Sequence, residues 1–111
     1  MTNPHDWYCE EVLSGRQAVD AVLETDDVLA FHHTRPAYEH HIVVIPKAHV
    51  PSFVDLGETS DGQLHTLIKE VRGIARQMLD EHGACRVITN LGDYQDSKHL
   101  HFHVVSGDRV T

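Results

Sequence analysis

Apolar residues recur at helical spacing in one long stretch of the chain and at strand-like spacing in several short ones. Ser60 and Gln63 have the spacing of a capping box at the start of the long stretch, and Gly83 is suited to end it. The pattern therefore predicts one long helix that packs a single face against a sheet. The residues predicted to form that face are Leu64, Leu67, Ile68, Val71, Ile74, Met78 and Leu79.

Short β-branched and apolar runs predict the strands of the sheet. The predicted strands are residues 18–24, 28–32, 41–45, 85–89 and 99–106, with a short helical turn over 7–15 before them and a polar loop, Asn90–Lys98, before the last. Strands, one long helix and further strands, in that order, predict an α+β fold with a mainly antiparallel sheet of about five strands. The length predicts a single domain over residues 1–111.

The last predicted strand alternates histidine with apolar residues. Successive side chains of a strand point to opposite faces. His99, His101 and His103 are therefore predicted to share one face, while the apolar residues between them enter the core. Neutral imidazole is a nucleophile, a base or a metal ligand. The spacing alone supports metal binding and nucleophilic catalysis equally, and a solvated edge strand is a third interpretation.

Composition narrows the class of protein. The formal net charge of −8 argues against a basic nucleic-acid-binding surface, and no apolar run is long enough to span a membrane. The start of the chain does not have the pattern of a signal peptide. Cys9 and Cys85 are the two cysteines and lie far apart, so we expect reduced thiols and a cytoplasmic protein.

The polar loop before the triad favours phosphate chemistry. It offers amide, hydroxyl and backbone N–H donors, a glycine and Lys98 directly beside the three histidines. Such donors can hold the oxygens of a phosphoryl group while a histidine attacks the phosphorus.

The segment from His99 to Val105 matches the motif His-φ-His-φ-His-φ-φ, with φ apolar, and the chain thereby resembles the histidine-triad (HIT) superfamily, in particular its Hint branch of nucleotide hydrolases. Further segments carry the resemblance: 28–32 followed by Pro36, 41–50, and the loop with Asn90, Gly92 and Gln95. It covers roughly residues 5–107. The resemblance implies a HIT-like fold and cleavage of a nucleoside 5′-phosphoramidate, or a related nucleoside monophosphate derivative, through a nucleotidyl-histidine intermediate.

The resemblance also implies roles for individual residues. His101 aligns with the nucleophile, His103 and His41 with histidines that orient it, and His99 with the residue that opens the triad. The residues implied to bind substrate are Asn90, Gln95, Asp96 and Ser97 at the phosphate and Phe31 and His33 at the nucleoside. At two of these positions the chain departs from the family, which often has Asp in place of His33 and Ser in place of Asp96.

No cofactor is required for this chemistry, but some bacterial relatives hold a structural zinc ion with a Cys-x-x-Cys pair and two histidines. The matching residues here are Asp6, Cys9, His49 and His99, and aspartate can replace one thiolate as a zinc ligand.

The resemblance further implies a homodimer with a nucleotide as its small-molecule partner. Two alternatives stay open: a HIT-fold module that binds a nucleotide without turnover, which His33 and Asp96 favour, and a metal-binding protein that uses the triad itself.

Overall fold

The computed structural model describes residues 6–111. Its main elements are β1 (Asp20–Glu24), β2 (Val28–His32), β3 (Tyr38–Pro46), α1 (Asp61–His82), β4 (Arg86–Ile88) and β5 (Phe102–Arg109). A single π-helical turn, Tyr8–Val12, precedes β1, and a 3-10 turn, Gly92–Tyr94, lies between β4 and β5. The five strands form one antiparallel sheet in the order β1-β2-β3-β5-β4. The predicted α+β fold with a long and a short helix is confirmed. Residues 1–5, which belong to the predicted domain and to the segment on which the signal-peptide prediction rests, lie outside the described residues.

Both faces of the sheet are covered at its centre, which explains why β2 and the second half of β3, residues 42–46, are apolar at nearly every position. On one face, alternate residues such as Ala30 and Val44 pack beneath α1. On the other face, Phe31, Val43 and their neighbours pack beneath the π-helical turn. The sheet therefore separates a large core under the long helix from a smaller one under the N-terminal turn.

The long helix begins and ends where the sequence predicts. The Ser60 hydroxyl accepts the backbone N–H of Gln63, whose side chain accepts the Ser60 N–H, and Gly83 ends the helix with a φ of 82°. Leu67, Val71, Ile74 and Met78 are buried against the sheet as predicted. Leu79 is an exception with 41% of its surface exposed, because it follows Met78 around the helix and turns away from the sheet.

The last strand begins later than predicted. The register pairs Val44 with Phe102, and its continuation would place Leu100 opposite Pro46, which has no N–H to donate. The prediction that β5 starts at His99 is therefore wrong, although residues 99–103 keep the predicted alternation: Leu100 and Phe102 enter the core under α1 while the histidines face the other side.

Other strand ends differ by a few residues from the predicted ones. β3 begins at Tyr38 and β5 extends to Arg109 because these two ends pair with each other. β1 and β4, the two edge strands, are shorter than predicted. Among the described residues, no helix combines the length and the apolar character that crossing a membrane requires.

We expect the Ser60→Ala variant to be less stable by about 1 kcal/mol, because the first turn of α1 loses the side-chain acceptor for the Gln63 N–H. Denaturant unfolding measures the change. Ser60→Asp is the matched control, since its carboxylate is an equally good N-cap acceptor. Equal destabilisation by both variants would show that the cap has no such role.

Candidate functional site

Imidazole rings gather on the sheet face opposite α1. In the register between β3 and β5, His41 pairs with Val105 and Val43 with His103, so the two histidines are diagonal neighbours on one face. Their ring centroids are 5.0 Å apart, and those of His101 and His103 are also 5.0 Å apart. The ring of His33, which follows β2, stacks against that of His103 and lies tilted against that of His41, with 4.4 Å between the centroids of His33 and His41. The sheet therefore brings together three of the four predicted catalytic histidines and adds a fourth ring, that of His33.

The orientation of His101 leaves one ring nitrogen free. Its Nδ1 lies 2.7 Å from the backbone oxygen of His99, so Nδ1 carries the hydrogen and donates it to that carbonyl. In the neutral ring, Nε2 then has the lone pair. The ring of Tyr8 packs against this imidazole with 4.8 Å between the centroids. His101 is thus held as a neutral ring with Nε2 available as a nucleophile.

A chain of hydrogen bonds fixes the tautomers of the other two histidines. The Ala37 N–H donates to Nδ1 of His41 at 3.0 Å, so the hydrogen of the neutral His41 ring is on Nε2. That Nε2–H donates to Nδ1 of His103 at 2.8 Å. The hydrogen of His103 is consequently on its own Nε2. The site combines one imidazole with a free lone pair and one that presents an N–H donor.

Burial keeps these rings neutral. Removal from water, reinforced by neighbouring imidazoles, lowers the pKa of His103 to about 3 and that of His41 to about 4. Burial also lowers the pKa of His101, against the opposing effect of its bond to the His99 carbonyl. It lowers the pKa of His33 as well. At neutral pH the cluster therefore offers lone pairs and N–H donors and no net positive charge.

A cavity of about 520 Å³ opens beside His101. His103 and His33 also reach it, and Trp7 and Tyr8 form an aromatic wall. The remaining lining residues are polar and belong to three loops: Gln17, Thr34, Arg35, Asp96 and Ser97. A separate cavity of about 540 Å³ between β3 and the end of α1 does not include His101, and we assign the chemistry to the cavity that does.

Three residues predicted to bind substrate lie outside the lining of this cavity. Phe31 is 1% exposed and packs beneath Tyr8, which lines the cavity in its place. Both hydrogens of the Gln95 amide are donated to backbone oxygens, those of Pro51 and Ser97, so this side chain braces the loop. Asn90 is half-buried and does not line the cavity. Their proposed contacts with substrate stay predictions.

Asp96 and Ser97 do line the cavity. The Ser97 hydroxyl accepts the backbone N–H of Trp7 and thereby joins the loop to the N-terminal turn. Lys98 points away, because its ammonium donates to the carbonyls of Gly92 and Gln95. The Asp96 carboxylate therefore has no compensating contact from Lys98, and it works to raise the pKa of His101.

His99 belongs to a second cluster, on the far side of Tyr8. The ligand atoms of Asp6, Cys9, His49 and His99 lie within 4.8 Å of one another. Cys9 Sγ is 3.3 Å from His99 Nδ1 and 3.8 Å from His49 Nδ1. Burial and the Asp6 carboxylate raise the pKa of Cys9 to about 12, so without a cation the thiol keeps its proton. Two imidazoles, one sulfur and one carboxylate are the donor set of a tetrahedral zinc site.

Tautomers distinguish this cluster from the catalytic one. His99 Nε2 donates to the Pro46 carbonyl at 2.8 Å, which leaves the lone pair of Nδ1 directed at Cys9 Sγ and Asp6 Oδ2, 3.3 and 3.2 Å away. His33, His41 and His103 also lie within 4.8 Å of one another through one ligand atom each. These rings have few lone pairs to offer a metal, because backbone N–H groups already donate to Nδ1 of both His33 and His41 and the ring hydrogen is then on Nε2. The donor set therefore fits a metal at the Asp6 cluster and not at the cluster of His33, His41 and His103.

The residues that sequence reasoning missed come from the cavity wall: Trp7, Tyr8, Gln17, Thr34 and Arg35. Trp7 and Tyr8 lie between two predicted zinc ligands, Asp6 and Cys9, in the sequence, and this neighbourhood could have indicated that they lie near the triad. Arg35 is a lone cation in the segment after β2, and nothing in its sequence pattern indicated that it faces the site.

Comparisons with known protein families and with individual proteins identify the same family. The family model for the HIT domain matches residues 14–110. An uncharacterised 13.2 kDa HIT-like protein of Azospirillum brasilense is 33% identical over 105 residues, covering 89% of this chain and 84% of the relative. A bifunctional adenosine 5′-phosphosulfate phosphorylase/adenylylsulfatase of Arabidopsis thaliana is 31% identical over 101 residues, covering 86% of this chain and 66% of that protein.

Solved structures agree with the sequence matches. A histidine triad protein from Clostridium difficile superposes with a TM-score of 0.77 at 30% identity, covering 100% of this chain and 97% of that one. The similarity thus extends over both the sheet and the segments that carry the histidines.

We expect the protein to lose stability as the pH falls from about 6.5 toward 4. In this window the unfolded chain binds protons at histidines, whose ordinary pKa is 6.5, whereas folded His41 and His103 titrate only near 4 and 3. His41→Asn, whose side-chain oxygen can accept the Ala37 N–H, should flatten the slope of unfolding free energy against pH. Denaturant titrations of metal-free protein across the window measure that slope.

The control for this prediction is His65→Asn, an exposed substitution on α1. It should leave the slope as in the original chain. A His41→Asn variant as sensitive to acid as the unmodified protein would show that burial of this imidazole does not govern the pH dependence.

Proposed function

The chain belongs to the HIT domain family, and on that premise we propose that it is a nucleotide hydrolase or transferase in which His101 becomes nucleotidylated. The substrate class is a nucleoside 5′-phosphoramidate or a related nucleoside monophosphate derivative. The observation that carries the proposal is the bond from His101 Nδ1 to the His99 carbonyl, which leaves Nε2 free beside a cavity of suitable size. A neutral, oriented imidazole is the nucleophile that this reaction needs.

In the first step, the Nε2 lone pair of His101 attacks the α-phosphorus, and the bond from phosphorus to the leaving nitrogen or oxygen breaks. The departing group takes a proton from solvent, and the Nε2–H of His103, oriented by the bond from His41 to its Nδ1, is the candidate hydrogen-bond donor to that group. In the second step, water or another acceptor attacks the phosphorus and releases its proton to solvent, and the bond to His101 breaks, which restores the free imidazole. Backbone and side-chain donors of the loop before β5 are the candidates for holding the phosphoryl oxygens.

One relative supports adenylyl chemistry. The Arabidopsis protein is named for phosphorolysis of adenosine 5′-phosphosulfate and for adenylylsulfatase activity, and both act on a derivative of a nucleoside monophosphate. That activity is consistent with the proposed intermediate. It does not fix the leaving group that this chain accepts.

A binding module without turnover is the second candidate function. It is favoured by Asp96, whose negative charge lies on the cavity wall near His101 and opposes the approach of a phosphate. The third idea, a metal-binding protein that uses the triad, is disfavoured because the ring of His99 lies in the Asp6 cluster, while Nδ1 of His101 and of His103 are engaged by the His99 carbonyl and by His41.

We also propose a structural zinc ion held by Asp6, Cys9, His49 and His99. When bound, zinc would fasten the N-terminal turn to the segment that precedes β5. His99 links this centre to catalysis, because its ring lies in the cluster while its carbonyl accepts the Nδ1–H of His101. The zinc ion takes no part in the reaction itself.

A homodimer is a further part of the proposal. β4 forms one edge of the sheet, and Val87 on that strand is 48% exposed. Leu79 on the neighbouring helix is also exposed. An open edge strand beside exposed apolar side chains is a suitable surface for a second copy.

We expect His101→Ala to reduce turnover of a fluorogenic adenosine 5′-phosphoramidate by about a thousandfold or more, because among the described histidines that line the cavity His101 alone has a free lone pair. Steady-state rates give the loss. Mass spectrometry after rapid acid quenching should detect an adenylate on the peptide that contains His101.

His65→Ala is the control, since this residue is exposed on α1 and away from the cavity. Wild-type turnover by His101→Ala, or an adduct on a different histidine, would refute the assignment. Neither turnover nor adduct, combined with measurable binding of AMP, would favour the binding module.

We expect the purified protein to contain a single zinc ion per chain, and Cys9→Ala to lose it because the site then lacks its only sulfur ligand. Elemental analysis measures the content, and thermal unfolding with and without chelator measures the stabilisation that binding provides. Cys85→Ala is the matched control, since Cys85 lies beside α1. Zinc retained by Cys9→Ala, or absent from all three proteins after growth with zinc, would contradict the proposal.

A further inference from the structure

One wall of the reaction cavity consists of hydrogen-bond donors from the loop that follows β2. The Arg35 backbone N–H donates to Nδ1 of His33 at 2.9 Å. The hydrogen of the neutral His33 ring is therefore on Nε2. Protonation of the ring would place a second hydrogen on Nδ1, directly against the Arg35 N–H. His33 thus brings an N–H donor to the cavity and has no lone pair with which to accept a hydrogen bond from a substrate hydroxyl.

Arg35 adds a positive charge to the same wall. Its side chain is exposed and lines the cavity, and within residues 6–111 its guanidinium makes no hydrogen bond or ion pair. This is notable in a chain with 17 acidic residues against 9 basic ones, where carboxylates are plentiful. A guanidinium is always charged and binds phosphate through two parallel hydrogen bonds.

The acidic residue of the cavity lies elsewhere. Asp96 is in the loop before β5, where its charge acts on His101 and Tyr8. The groups that pack against the ring of His33 are instead neutral imidazoles, those of His41 and His103. The cavity is therefore polarised, with a carboxylate near the nucleophile and a guanidinium with an N–H donor on the wall after β2.

We propose that His33 and Arg35 form a second anion subsite, so that the preferred substrate carries another phosphate besides the one attacked by His101. This inference rests on the proposed function and specifies its substrate class. The second phosphate belongs either to the ribose, at the 2′ or 3′ position, or to the group bonded to the α-phosphorus. Both have the same chemistry: several acceptor oxygens and a negative charge, which match an N–H donor and a guanidinium.

Binding measurements test the subsite without relying on turnover. Trp7, the single tryptophan of the chain, lines the cavity, and its fluorescence reports occupancy. The ligands are AMP, adenosine 2′,5′-bisphosphate, adenosine 3′,5′-bisphosphate and ADP. At least one ligand with a second phosphate should bind about tenfold more tightly than AMP, as expected for a charge-assisted contact that is partly exposed.

Arg35→Gln should bring that ratio close to one, and His33→Asn should reduce it. Arg72→Gln is the matched control, because it removes the same charge from an exposed position on α1 outside the cavity. It should leave the preference intact. Preference for a bisphosphate assigns the subsite to the ribose, and preference for ADP assigns it to the leaving group.

Equal affinity for all four ligands would overturn the proposal, as would a preference that survives Arg35→Gln. Turnover of the phosphoramidate is measured in parallel. If binding shows the predicted preference but no nucleotide derivative is cleaved, the subsite stands and the proposed enzymatic function fails. If turnover occurs without any preference, the function stands and the subsite is refuted.

Discussion

The hydrogen bond from His101 Nδ1 to the His99 carbonyl is the interaction on which the site depends. A neutral imidazole can be nucleophilic at only one nitrogen, and this bond decides that the nitrogen is Nε2. The carbonyl is available because His99 and His101 lie just before β5, whose pairing with β3 ends at Val44 and Phe102, two residues before Pro46. A strand that paired two residues earlier would engage this backbone in the sheet. The late start of β5 is therefore part of how the nucleophile is oriented.

The same reasoning divides the histidines into two groups with different chemistry. Backbone N–H groups at Nδ1 of His33 and His41 make these rings donors through Nε2. The hydrogen bond to the Pro46 carbonyl has the opposite effect on His99, because it places the hydrogen on Nε2 and leaves a lone pair on Nδ1 that faces Cys9 and Asp6. Residues of one type, a few ångströms apart, are thus suited to proton transfer in one cluster and to metal binding in the other. Backbone partners, which a sequence does not display, make the difference.

Periodicity predicted the elements that depend on burial alone. The stripe of α1, its Ser60 cap and its Gly83 end follow from spacing, and so does the alternation that separates the triad from the core. The geometry of the loops could not be predicted from the sequence in this way. Gln95 and Phe31 carry the residue types expected at a nucleotide site, yet one bonds to backbone carbonyls and the other lies beneath Tyr8. A polar side chain is free to bind substrate only if no other part of the protein already bonds to it. That depends on contacts between distant segments, such as the hydrogen bond from Gln95 to the Pro51 carbonyl.

Keeping several imidazoles neutral and close together requires that water be excluded from their ring faces. The N-terminal turn does this, because Tyr8 is 4% exposed and covers both Phe31 and His101. That turn is short and is fastened to the rest of the molecule at few points, among them the Trp7 N–H to Ser97 and the Asp6 cluster. A metal ion at the cluster would add strong ligand bonds where hydrogen bonding is sparse. The protection of the nucleophile and the proposed zinc centre are therefore connected through the residues between Asp6 and Cys9.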